Sequence, residues 1–198
     1  MESIKPTILA MYSGGLDSLG MVYKLLTDPE YKEYKLHIHH VHIRNVENRD
    51  RAEAIVVEQV LKELEQLGFS FVYSESEIAS QPYNGKFMYD TDSINFFAGY
   101  ICSVNPRIKK VAMGMQANDH NHSLEERRIR ANAILAAFTP VEKIYPVLDM
   151  TKREIYDGLP ESLRDMFWSC RCPQYSEKNI APCGRCDTCA KLREQGIR

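Results

Sequence analysis

The 198-residue sequence contains a single tryptophan, no apolar run near the ~18 residues of a membrane span, and almost no net charge. No membrane-spanning helix is expected. Lys and Arg number 25 against 27 Asp and Glu, a formal charge of −2 with pI near 6.3. That balance excludes a whole-chain electrostatic footprint for nucleic acid, leaving only a local basic face hidden within the average. The first apolar run, TILAM, is too short for a secretory h-region, and a soluble, cytoplasmic protein is expected. Internal repeats and low-complexity tracts are also missing.

With 44% hydrophobic residues, the chain can bury a substantial core. Short apolar runs at 7–12, 36–43, 69–73 and 110–114 read as strands; helical patterns cover 17–26, 49–67, 93–103 and 123–138. Their alternation predicts an α/β fold: an open parallel sheet with helices on both faces. Ser123 with Glu126 and Thr151 with Glu154 have capping-box spacing. The periodicity fades after Pro160, so residues 1–160 are expected to form the core and 161–198 a small C-terminal zinc-binding segment.

Between the first strand and the first helix lies SGGLDS, Ser13 to Ser18. A strand that turns through glycines into a helix leaves several N–H groups at a positive dipole end, an anion cradle. Gly14 and Gly15 allow a phosphate close to the main chain, and Ser13 and Ser18 add hydroxyl donors. Neither GxxxxGK[ST] nor GxGxxG is present. Asp17 either caps the helix or holds Mg²⁺ or an ordered turn beside the phosphates. The nucleotide-contact candidates are therefore Tyr12, Ser13, Gly14, Gly15, Leu16, Asp17 and Ser18. Ligands of such sheets gather at the carboxyl ends of the strands, which adds Val41 and Ile43 for the adenosine and Gly114 and Asp119 after the fourth strand. His120 and His122 follow nearby. In HIHHVHIRN the strand period puts His37 with His39 on one face and His40 with His42 on the other, a weak arrangement for a metal.

Five of six cysteines fall between Cys170 and Cys189. Cys170, Cys183, Cys186 and Cys189 have the spacing C-x12-C-x2-C-x2-C, suited to a closed tetrahedral Zn²⁺ site, with Cys172 as an alternative to Cys170. Free or redox thiols are the other reading. Cys102, within FFAGYICSV, reads as a small core residue.

SGGLDS after a first strand resembles the PP-loop of the ATP pyrophosphatases, of adenine-nucleotide α-hydrolase-like fold. With SC and CGRCDTC in the tail and TKREI at Thr151, the chain resembles the 7-cyano-7-deazaguanine synthase family. The resemblance implies an ATP-dependent carbon–nitrogen ligase that adenylates 7-carboxy-7-deazaguanine and converts it with ammonia to amide and nitrile in queuosine biosynthesis. ATP, Mg²⁺ and Zn²⁺ are the implied cofactors. Asp17, Ser18 and Lys152 are the implied catalytic residues, Lys152 resting on ATP phosphates. A homodimer is compatible with this reading. No remainder of ~150 residues is left for a glutaminase, so free or delivered ammonia is expected. Asp90 and Asp92 put negative charge where the family carries an arginine–asparagine pair, with Arg127, Arg128 or Arg130 as replacement cations; another acceptor amine is compatible with such a pocket. The competing readings are a PP-loop tRNA thiolase with a persulfide on Cys172 or Cys102, and a non-enzymatic zinc-tail binding module.

Overall fold

The computed structural model describes residues 5–79, 81–84, 88–117, 122–177 and 179–197, and for 122–124 the backbone only. Strand β1 (Thr7–Met11) carries the logic of the fold, because its alternate residues point to opposite faces. Ile8, Ala10 and Tyr12 enter one apolar core, Leu9 and Met11 another, and all five are at most 5% exposed. A strand buried on both sides needs cover on both sides, which only a helix-sandwiched parallel sheet supplies.

Beside β1 lie β2 (Lys35–Arg44) and β4 (Ile108–Met113), with β3 (Val72–Ala79) and β5 (Glu142–Ile144) outermost, in the order β3-β2-β1-β4-β5 and all parallel. Helices α1 (Leu16–Thr27) and α2 (Asp50–Gln66) cover the first core, joined there by α5 (Lys152–Gly158) and α6 (Glu161–Arg164). Helices α3 (Asp90–Val104) and α4 (His122–Ala136) cover the second. The order reverses at β1, whose neighbours β2 and β4 continue the chain in opposite directions, so the crevice at its carboxyl end is the topological switch point.

The third strand lies later than the apolar run at 69–73 implies. It spans Val72–Ala79 and is an edge strand in which every second residue is exposed. A half-wet strand reads as alternation, VYSESEIA, and its apolar content is too thin to mark it. Phe69 and Phe71 instead pack against the first core. The short β5 and the pairing of β6 (Gln174–Tyr175) with β7 (Ile180–Ala181) also escape a reading by periodicity.

At Thr151 the capping box is formed: the Thr151 hydroxyl accepts from Glu154 N–H, and Glu154 returns a bond to Thr151 N–H at 2.7 Å. The Ser123 box lies outside the described side chains. Segment 161–197 is tied inward, with Leu163, Phe167, Leu192 and Ile197 all buried in the first core. It ends in α7 (Asp187–Glu194). Among the described residues no helix is long and apolar enough to cross a membrane.

Candidate nucleotide and acceptor site

The SGGLDS turn braces itself. Ser18 Oγ donates to Gly15 C=O at 2.9 Å, the Ser13 and Ser18 hydroxyls are 3.0 Å apart, and Ser13 N–H donates to Ser18 Oγ at 3.3 Å. The two serines thus hold the shape of the turn while leaving the helix start open. Gly15 is the N-cap of α1 and contributes no side-chain cap, and Gly14 has φ +80°, which a side chain resists. Leu16 is 1% exposed and its side chain belongs to the core, so only its backbone can serve a ligand. Asp17 does not cap the helix. It lies in the first turn, where Lys152 Nζ donates to its Oδ1 at 2.6 Å. Lys152, expected on phosphates, is thus joined to the carboxylate of the loop across most of the chain.

Gly114 is needed for a close approach of backbone to backbone. A Cβ there would stand 2.6 Å from Ser18 Cα and 2.7 Å from Ser18 N. Strand β4 therefore exits directly against the start of α1. Gly114 and the two serines line a cavity of about 290 Å³ on the β4 side of the switch point. Its far wall carries Arg127, Arg128 and Lys143, with Asn95, Asn132 and Tyr145 as further polar groups. Among the described residues no carboxylate lines it. Lys143 donates to Asn132 Oδ1 at 2.6 Å, and burial lowers its pKa to about 8.

The negative charge expected from Asp90 and Asp92 is neutralised. Asp92 is paired with Arg130 at 3.0 Å, and Asp90 accepts from Arg49. Arg49, its side chain 13% exposed, also meets Glu53 at 2.6 Å and Glu47 at 2.7 Å, while Arg171 reaches Glu47 at 2.7 Å. Burial pushes the Glu53 carboxyl up to about 7 against the pull of Arg49. Sequence reasoning missed this network, since Arg49 sits in an ordinary charged stretch, NRDRAE, and the links that carry it beyond that stretch, Asp90 to Arg49 and Arg171 to Glu47, span 41 and 124 positions.

On the β2 side of the loop lies a second cavity, of about 240 Å³, lined by Tyr12, Val41 and Ile43 together with His39, Arg49 and Arg171. Met11, Ser13 and Ile94 border both cavities, so the two are lobes of one crevice around the end of β1. The histidines split by face as the strand period requires. His40 Nδ1–H donates to Tyr12 C=O at 2.8 Å, bracing the residue that precedes the loop. Burial holds both His39 and His40 neutral, with pKa lowered to about 4. No histidine joins a metal-binding group among the described residues. Asp119 and His120 lie outside the described residues, and the side chain of His122 likewise.

Cys170, Cys183, Cys186 and Cys189 converge, their sulfurs all within 4.8 Å of one another. With metal–sulfur bonds of ≈ 2.3 Å, the sulfurs of one tetrahedral ion stand roughly 3.8 Å apart, and here Cys186 is 4.0 Å from Cys170 and 3.5 Å from Cys189. Cys183 N–H and Cys172 N–H both point at Cys170 Sγ, at 3.2 and 3.4 Å. Cys172 itself is exposed and stays outside the cluster. The donor set fits a single soft or borderline ion.

The sheet order, the glycine turn at the switch point and the two-lobed crevice define an open, parallel, doubly wound α/β fold. A solved structure shares it: the U34-tRNA thiolase NcsA from Methanococcus maripaludis with its [4Fe-4S] cluster, at TM-score 0.52 and 16% identity over 97% of this chain. This chain spans 65% of that protein's length. No family model and no curated protein matches the sequence.

Proposed function

We propose that the protein is an ATP-dependent carbon–nitrogen ligase that activates the carboxylate of a planar heterocycle, 7-carboxy-7-deazaguanine being the first candidate. The observation that carries this reading is the 290 Å³ cavity: it opens onto Ser13 and Ser18 and offers Arg127, Arg128 and Lys143, with no carboxylate in its lining among the described residues. An anionic, flat acceptor fits such a wall, since guanidinium groups pair with carboxylates in bidentate fashion and stack on rings.

ATP would lie with its base in the lobe of Val41 and Ile43 and its phosphates on the turn. The acceptor carboxylate oxygen then attacks the α-phosphorus, the α–β bond breaks, and pyrophosphate leaves into the cradle that stabilises its growing charge. Lys152, paired with Asp17 in the first turn of α1, would supply the cation that SGGLDS lacks. Mg²⁺ would be held by Asp17 together with phosphate oxygens and supplies charge neutralisation. Ammonia attacks the acyl adenylate, AMP departs and the amide forms; a second activation at the amide oxygen leads to the nitrile. The four cysteines would hold Zn²⁺ in a closed shell, which supplies folding energy and no open position for substrate.

The test is incubation of the chain with ATP, Mg²⁺, ammonium and 7-carboxy-7-deazaguanine, with pyrophosphate assayed and products weighed by mass spectrometry. Pyrophosphate release stimulated by the acid supports the reading; ATP turnover indifferent to every carboxylate offered sinks it. The solved neighbour is a thiolase, yet no cysteine lines either lobe among the described residues. The [4Fe-4S] reading of the cysteines is disfavoured for a similar reason, because thiolates on four different irons stand further apart than these sulfurs do.

A further inference from the structure

Val41 and Ile43 share a face of β2 with His37 and His39, and the register sets His39 directly beside Ser74 on β3. Ser74 Oγ lies 2.7 Å from His39 Nδ1 and 2.7 Å from His37 Nε2. A hydroxyl has one proton and two lone pairs, so Ser74 donates to at most one imidazole and accepts from the other or from both. The Nδ1 of His39 is committed in either case, and the protonation of its Nε2 is set by the same three-residue chain. That Nε2 is buried without a hydrogen-bond partner among the described residues, on a side chain of a residue only 2% exposed. His39 nevertheless lines the 240 Å³ lobe, next to the apolar Met11, Val41 and Ile43.

A buried, unpaired ring nitrogen is costly unless something satisfies it, and natural pockets use a few such groups to orient otherwise apolar ligands. We propose that His39 Nε2 is the specificity contact for the heterocyclic base of the nucleotide, bonding a polar edge atom of a purine while Val41 and Ile43 pack against its ring. The inference rests on the nucleotide reading above. Burial keeps the imidazole neutral, which suits a neutral base edge rather than a phosphate. The Ser74 and His37 pair act as positioning residues, because they orient His39 without reaching the lobe's lining.

The experiment measures binding of ATP, GTP and inorganic triphosphate to the full metal-loaded chain, as wild type, H39L, H39Q and S74A. Wild type should prefer ATP to GTP. H39L should lose about tenfold on ATP, bring the ATP:GTP ratio near one, and leave triphosphate affinity unchanged; H39Q should retain part of the preference. As a measurement that needs no substitution in the bound protein, ¹⁵N-histidine NMR of wild type should show the His39 Nε2 resonance move with ATP and stay still with triphosphate. Should H39L fail to fold, this spectrum decides the matter. An H39L protein of intact triphosphate affinity and unchanged ATP:GTP ratio overturns the inference alone, as does an Nε2 resonance indifferent to ATP, which would leave a water as its partner. A wild type that binds triphosphate but no nucleoside triphosphate overturns both this inference and the proposed function.

Discussion

Trp168 N–H donates to Gly14 C=O at 2.8 Å, a hydrogen bond between the cysteine segment and the glycine turn. Two residues further, Cys170 joins the thiolate cluster, and Trp168 Nε1–H closes back on Cys170 C=O at 2.9 Å. Trp168, Cys170 and Ala52 of α2 share one small apolar cluster with the other cysteines. The four-cysteine cluster and the glycine turn are therefore mechanically adjacent, though no cysteine lines the crevice among the described residues.

Chelation should consequently be felt at the turn. Because Trp168 is the only tryptophan and is 8% exposed, stripping the metal is expected to shift its emission to the red and to weaken ATP binding about tenfold or more. Emission and ATP affinity that persist in a demonstrably metal-free chain would show the two sites to be independent. C172S should retain one ion per chain, whereas C170S should not.

Replacing Gly114 by alanine should damage the same region from the other side. The new methyl meets the backbone of Ser18, which has no soft rotamer to yield, so a loss of about 1–3 kcal/mol is expected. ATP binding should fall with it. Gly158→Ala, where nothing stands within 4 Å, is the matched control and should keep both thermal stability and binding.

Lys152 and Asp17 are mostly buried, at 17% and 21% side-chain exposure, and lie beside the turn. K152M should lower the rate of pyrophosphate release by about two orders of magnitude, in the range seen when one transition-state donor is removed. Steady-state kinetics with ATP and acid checks this. A rate within threefold of wild type would mean that the pair only joins α5 to α1.

Acid should destabilise the fold between roughly pH 6.5 and 4. His39 and His40 have folded pKa values lowered to about 4, by burial first, from an ordinary value of 6.5. In that window the unfolded chain binds more protons at these two histidines while the folded chain binds more at Glu53, whose carboxyl burial raises to about 7, so stability still rises with pH, by a net on the order of 3 kcal/mol. Urea titrations at successive pH values should show this slope, and His40→Asn should flatten it.

On the acceptor side, R128E should raise the KM for the carboxylate substrate by at least tenfold and leave ATP affinity within twofold, since Arg128 lines the β4 lobe and not the β2 lobe. Binding isotherms for the two substrates separate the effects.

Much of the architecture was legible from periodicity. Strands buried on both faces are continuous apolar runs and announce themselves, as TILAM does; β3, half wet at the edge, does not. The turn at Gly14 was legible because few residue types accept a φ of +80°, and the cysteine cluster because short C-x2-C steps constrain thiolates whatever surrounds them. Lys152 was legible only as a residue, its carboxylate partner being 135 positions away.

The sequence by itself determined the local chemistry: the strand–turn–helix of SGGLDS, the four-thiolate spacing, the capping box at Thr151, and the division of β2's histidines between two faces. All of these depend on interactions within a few residues or on the fixed period of a strand. The tertiary structure alone decided what the charges mean. Asp90 and Asp92 read as misplaced negative charge until Arg49 and Arg130 are seen to neutralise them, and among the described residues the β4-side cavity is lined by Arg127, Arg128 and Lys143 and by no carboxylate. It also decided that Ser74, from another strand, takes His39 Nδ1 while Nε2 has no hydrogen-bond partner among the described residues. Pairing of this kind depends on which distant segments the sheet order brings together, and periodicity carries no information about that.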